Sequence, residues 1–212
     1  ISDIVDKIIS SGANTIQLYF DWDDQTILIA DNGKGMQKKE LLASMKIGSS
    51  DPGITRSASD LGRFGMGMKT ASFSLGKQLL VITKQKDEIN NAEWNLEYVE
   101  NEDKWEILIH SDEKIDTYIK SKTDKIEFQN WDEGTLISLS MLDKLIDENN
   151  MQKSKVKFYK TVEKVKKHLA MIFHRFIEED NLQIYVNKNL LEAWNPFIRQ
   201  NPATMELACE EL

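Results

Sequence analysis

Residues 60–76, DLGRFGMGMKTASFSLG, set Gly62, Gly65 and Gly67 directly ahead of a run, Met66 to Leu75, that reads as a helix. Glycines let a backbone lie close against an anion with its N–H groups turned inward, and the first turn of a helix adds unpaired N–H groups and the positive end of a dipole. That combination holds phosphate. It also caps ordinary core helices, and alone it leaves both readings open. A second cluster, Asp31-Asn32-Gly33-Lys34-Gly35-Met36, lies where a strand ends. An ionised Asp is an acceptor only and can receive an N–H from a purine amino group, while two glycines let the chain turn tightly beside a ligand. The same residues make a good turn, and alone turn and site are equally served. Asp3 and Lys7 are four apart on one helical face, where the plain reading is a surface ion pair worth a few tenths of a kcal/mol.

The elements that must position these residues follow from periodicity. Ile4, Val5, Ile8 and Ile9 recur at helical spacing up to Gly12, so residues 1–11 read as a helix that has already begun at Ile1, and chain upstream is expected. Thr15 to Phe20 and Thr26 to Ala30 read as a β-hairpin that delivers Asp31 at its end. A short helix, Gln37 to Met45, precedes the stretch Lys46 to Arg63. That stretch has almost no apolar periodicity, and its place before the glycine cluster favours a lid. Lys77 to Thr83, Ala92 to Val99 and Lys104 to His110 read as strands. Residues 111–132 are polar and uninformative, with Ile126 and Phe128 as anchors of an edge strand. Gly134 to Ser140 alternates, placing Thr135, Ile137 and Leu139 on one face, and Lys155 to Glu179 carries a strict three-four apolar stripe. A last strand, Leu182 to Val186, follows. Trp194 to Phe197 and the helical-looking Thr204 to Leu212 read as the start of a following segment.

Composition sets the class. With 41% hydrophobic and 29% charged residues and no apolar run long enough to span a bilayer, the chain reads as one soluble globular domain. The lone Cys209 excludes an intramolecular disulfide, and no signal-peptide pattern opens the chain, so a cytoplasmic location is expected. A net charge of -8 makes the surface as a whole a poor partner for nucleic acid, leaving only a local basic patch open. His110, His168 and His174 are not spaced as a metal or catalytic set.

In order, the motifs IVDKIISSGANTIQL, IADNGKGM, DLGRFGMGMKTASFSLGKQLLVITK and EGTLISL, with YVNKNLLEAWNPF as a weaker fifth, resemble the Bergerat-fold ATPases. This is the superfamily of DNA gyrase B, heat-shock-90-type chaperones, histidine kinases and MutL, and the detail is most similar to its bacterial microrchidia-like members. The resemblance covers residues 1–197 as an ATP-binding domain and leaves 198–212 as the start of a following region. It implies an α/β (α+β) sandwich with a mixed, mostly antiparallel sheet and helices packed on one face. It also implies that Asp31 accepts the adenine amino group, that Gly33 and Gly35, followed by Met36, make room for the base, and that Thr135 shares a bridging water with Asp31. Gly62, Gly65, Met66, Gly67 and Met68 would lie around the phosphates, with Lys69 adding positive charge and the lid closing over the nucleotide.

Two positions depart from the family pattern. Asp3 stands where a general-base Glu is usual, one methylene shorter. Lys7 stands where an Asn coordinates magnesium, and a charged ammonium is no metal ligand. The expected function is therefore a nucleotide-driven switch with slow ATP hydrolysis in which Asp3 orients the water. The other reading is an assembly module that holds ATP or ADP without turnover. In the superfamily, dimerisation often depends on residues that would precede Ile1, so a nucleotide-dependent homodimer belongs to the expectation.

Overall fold

The computed structural model describes residues 1–46, 67–179 and 182–197, together with 203 and 205. The expected lid beyond Lys46, Gly62, Gly65, Met66 and the helical-looking 204–212 lie outside the described residues, apart from Met205.

Seven strands form one sheet in the order β4-β3-β5-β2-β1-β6-β7. They are β1 (Thr15–Asp21), β2 (Thr26–Asp31), β3 (Gln78–Gln85), β4 (Glu88–Asn95), β5 (Gly134–Ser140), β6 (Gln183–Val186) and β7 (Asn189–Leu190). Among the described residues only β1 and β6 pair in parallel, which makes the sheet mixed and mostly antiparallel. The β1–β2 turn is closed by Asp21, whose Oδ1 accepts from the N–H groups of Asp23 and Asp24 at 3.0 and 3.1 Å.

Strand alternation sorts the apolar side chains into two cores. Ile27, Ile29, Leu79, Val81, Ile137 and Leu139 face the larger core, against α1 (Ser2–Ser10), α2 (Lys38–Met45) and α6 (Met151–Ile172). Leu28, Ala30, Leu80, Ile82 and Leu136 face the other way, against Ile115 and Ile119 of α5 (Asp112–Lys120) and against Ile126 and Phe128. The principal helices thus lie on one face as expected, and a thinner layer covers the second. Burial at all six positions of β2, which the hairpin pattern alone does not announce, follows from this double cover.

Four sequence expectations differ from the fold. Ile126 and Phe128, expected to anchor an edge strand, form no strand but pack on the sheet's second face, with Phe128 opening a short 3-10 turn. Lys104 to His110 makes only an isolated bridge, Glu93 to Leu108, alongside β4. The strand expected to reach Val99 stops at Asn95, whose side chain accepts from Tyr98 N–H at 3.1 Å and starts α4 (Leu96–Glu102). The long helix begins at Met151, capped by Asn150, and breaks at Phe173 before α7 (His174–Glu179).

Candidate functional site

The site is built where β2, β5 and β3 end side by side. Asp31 is the register partner of Thr135, and Thr135 in turn of Thr83, so the three side chains form a row on the larger-core face. Below them on that face lie Ile137 and Val81. Asp31 is 2% exposed, and its Oδ1 accepts from Gly33 N–H at 2.9 Å. Burial pushes its carboxyl up to about 7, against backbone hydrogen bonds from Gly33 and Thr135 that pull the other way.

The turn after Asp31 is fixed by close approaches. Asn32 Oδ1 accepts from the N–H groups of Asn14 and Thr15 at 3.1 and 2.9 Å, which locks the turn to the start of β1. At Gly33 a Cβ would lie 2.3 Å from Ser11 Oγ at the end of α1 and 2.9 Å from Asp31 Oδ1, so a larger residue would displace the side chains against which the turn packs. Gly35, at φ +62°, would drive a Cβ to 1.9 Å from the Lys84 carbonyl oxygen. Glycine at this position lets the turn pack directly against β3. Met36 N–H then donates to Thr83 Oγ1 at 2.8 Å, and that hydroxyl donates to the Gly134 carbonyl at 3.1 Å. Thr83 and Gly134 are the residues that sequence reasoning missed. A buried Thr in an apolar strand was the available signal for the first, since its hydroxyl must find a partner.

A cavity of about 150 Å³ opens beside this row. Asp31 and Thr135 form its polar end, Val81, Ile137, Ile4 and Ile8 its apolar walls, and Lys7 of α1 reaches it from the helix. Sites enclosing a whole drug-sized ligand run to about 300 Å³ or more. This hollow therefore suits a flat ring held edge-on to a carboxyl, with the rest of the ligand outside.

The structure brings Lys7 to the cavity and leaves Asp3 exposed on α1, outside the lining residues. Asp3 raises the carboxyl of the half-buried Asp6, a smaller effect than that residue's own burial. Gly67 and Met68 open α3 (Gly67–Phe73). Lys69 on the same helix is 3% exposed, and its ammonium donates to the carbonyls of Ser44, at 2.8 Å, and of Lys46. It closes the C-terminal end of α2, where carbonyls lack helical partners. Burial, and then the charge of Lys7, lower its pKa. Lys69 is thus committed to the protein, whereas the Lys7 ammonium makes no hydrogen bond or ion pair among the described residues.

A carboxyl is thus buried at a strand end between a threonine and an apolar hollow, and in the sequence the glycine cluster precedes α3. A family model for the histidine kinase-, DNA gyrase B- and HSP90-like ATPases matches residues 1–132. The chain belongs to this ATPase family. ATPase morc-1 of Caenorhabditis elegans is 33% identical over 94 residues, which is 43% of this chain and 10% of that protein. The chain thus spans about a tenth of that relative's length. The ATPase and transducer domains of DNA topoisomerase II from Balamuthia mandrillaris share the fold, with a TM-score of 0.52 at 17% identity over 91% of this chain and 47% of that one. Among the described residues no helix is long and apolar enough to cross a membrane.

Members of this family bind ATP, usually with magnesium. Among the described residues, the one at the position that the resemblance assigns to magnesium does not fit it. Lys7, at the position expected to coordinate it, brings only N–H donors and a positive charge to the cavity, whereas magnesium takes oxygen ligands.

Proposed function

We propose that this domain binds ATP with adenine in the hollow beside Asp31 and acts as a nucleotide-driven switch with slow hydrolysis. The observation that carries the reading is the buried Asp31 carboxyl, aligned with Thr135 at the edge of an apolar cavity of base-ring size. Asp31 would accept the adenine amino group, and Thr135 would share a bridging water. The ring would lie against Val81, Ile137, Ile4 and Ile8, with Met36 at the rim. The backbone N–H groups of the Gly62, Gly65 and Gly67 region would hold the phosphates, on the strength of the sequence pattern, with the stretch from Lys46 as lid. Lys7 would supply positive charge to the phosphates, the part first expected of Lys69. Asp3, one helical turn before Lys7, would orient the attacking water. Residues 1–197 are read as one cytoplasmic ATP-binding domain, with 198–212 opening a following region, in a protein that dimerises when nucleotide binds.

A second reading is supported by Lys7 itself: nucleotide held without turnover, as an assembly module. Positive charge beside phosphate favours binding, whereas hydrolysis also requires alignment of the transferring group. Calorimetric titration with ATP, with and without magnesium, followed by a phosphate-release assay, tests both. Saturable binding with release supports the switch, binding without release supports the module, and no binding overturns both.

A further inference from the structure

The second face of the sheet, turned away from the candidate nucleotide hollow, is apolar over most of its area but polar at one end. Glu93, Leu80 and Ser138 are register neighbours across β4, β3 and β5, and the next row carries Gln78 and Ser140. Glu93 and Ser138 are 4% and 3% exposed. Buried polar groups on a sheet face are costly unless paired, and these are paired in a chain. Ser140 Oγ donates to Gln78 Oε1 at 2.5 Å, Gln78 Nε2 donates to Glu93 Oε1 at 2.8 Å, and the other Glu93 oxygen meets His110 Nε2 at 2.6 Å. The backbone of His110 is clamped on both sides by the Asn91 amide, at 2.8 and 3.0 Å. Lys114 Nζ lies 3.0 Å from His110 Nδ1. An ammonium only donates, so Nδ1 accepts, and Nε2 carries the proton that is donated to Glu93.

Between this row and α5 lies a cavity of about 390 Å³, within the range of small-molecule sites. Its strong acceptors, both Glu93 oxygens and the Gln78 carbonyl, each take one hydrogen bond from within the protein. The hydroxyl protons of Thr117 and Ser121 go to the carbonyls of Glu113 and Tyr118. Donors remain. Two N–H bonds of Lys114 are uncommitted, and Tyr118 and Ser138 share one hydrogen bond, at 2.6 Å, between two hydroxyls, so one O–H is left over. Lys114 and Tyr118 are four apart on α5 and share a face. Leu80 and Ile115 supply an apolar wall.

We propose that this second-face cavity is a binding site for a small organic anion. Its carboxylate or phosphate would be held by Lys114 and the Tyr118–Ser138 hydroxyl pair, and its apolar body would rest on Leu80 and Ile115. An acceptor-rich ligand completes the donors that the protein leaves unmatched, which butylammonium, a donor only, cannot do. The site uses the opposite face of β3 and β5 from the nucleotide hollow and does not depend on nucleotide binding.

Amide chemical shifts of the whole chain, followed while titrating butyrate, inorganic phosphate and butylammonium, test it. Saturable shifts centred on residues 114–118 and 138 are expected with butyrate, with inorganic phosphate or with both, and none with butylammonium; a response to only one anion names the head group. Lys114→Met, at an exposed position the fold tolerates, should weaken binding at least about tenfold, and Tyr118→Phe should weaken it while keeping the ring. Absence of saturation with both anions, saturation by butylammonium, or equal affinity in Lys114→Met with the fold intact would overturn the proposal.

Discussion

Asp31 on β2 and Thr135 on β5 are direct register partners on one face of the sheet, so a nearly inaccessible carboxyl and a hydroxyl stand side by side at the mouth of an apolar hollow. In the proposed reading the carboxyl is the recognition group for a base, and its burial makes it a source of pH dependence.

Burial raises the Asp31 carboxyl from its ordinary 3.8 to about 7 in the folded state. A raised folded value means that the protonated form is the stabilising one. The contribution is full below 3.8 and is lost as pH rises through 7, a change on the order of 4 kcal/mol. Urea unfolding of the ligand-free protein from pH 4 to 8 should show this fall, and Asp31→Asn should remove it. A parallel pH profile in the two proteins would refute the assignment.

Lys69 ties α3 to the end of α2 through the Ser44 and Lys46 carbonyls. Hydrogen bonds from a charged donor are worth about 1.5–3 kcal/mol. Lys69→Met should lower stability by that order in urea melts, because it leaves the carbonyls unpaired. If the melt is unchanged and only nucleotide affinity drops, the ammonium serves phosphate instead.

Gly35 has both positive φ and no room, whereas Gly12 has φ +83° and nothing within 4 Å of a Cβ. Gly12→Ala should therefore cost about 1–2 kcal/mol, the conformational penalty alone. Gly35→Ala should cost clearly more, because β3 or the turn must move. Thermal unfolding of the two variants gives the comparison, and equal losses would contradict the packing account.

Lys7 tests whether turnover is limited by its charge. Lys7→Asn removes an ammonium from the cavity and supplies an oxygen suited to a hard cation. Phosphate release measured across a magnesium series should become magnesium-dependent in that variant, with Asp3→Ala as background. Magnesium-dependent release already present in the unaltered protein and abolished by Asp3→Ala would show that Lys7 does not block the site.

The residues whose positions follow from local pattern were legible in the sequence. The β1–β2 hairpin, the alternating β5 and the amphipathic α6 carry their own periodicity, and Asp31 and Thr135 fell where those strands place them. What depends on distant partners was not legible. α5 buries Ile115 and Ile119, with Tyr118 packed beside them, in an otherwise polar stretch, and its burial comes from the sheet's second face. Trp105 and Ile109 alternate with Ile107 like a strand, but apart from the bridge at Leu108 no ladder forms, and both remain more than half exposed. Thr83 and Gly134 belong to the site only because β3 and β5 run together there. The carbonyls that hold Lys69, from Ser44 and Lys46, lie more than twenty residues upstream and could not be read from its neighbours in sequence.

Titration calorimetry of ATP into the unaltered protein and Asp31→Ala tests the central claim most directly. Loss of the acceptor leaves a buried amino group unpaired, at about 1–3 kcal/mol. The account predicts saturable binding by the unaltered protein, preference for ATP over GTP, and affinity weaker by about tenfold or more in the variant. Equal affinity in a folded Asp31→Ala protein, or no binding by the unaltered chain, would contradict it.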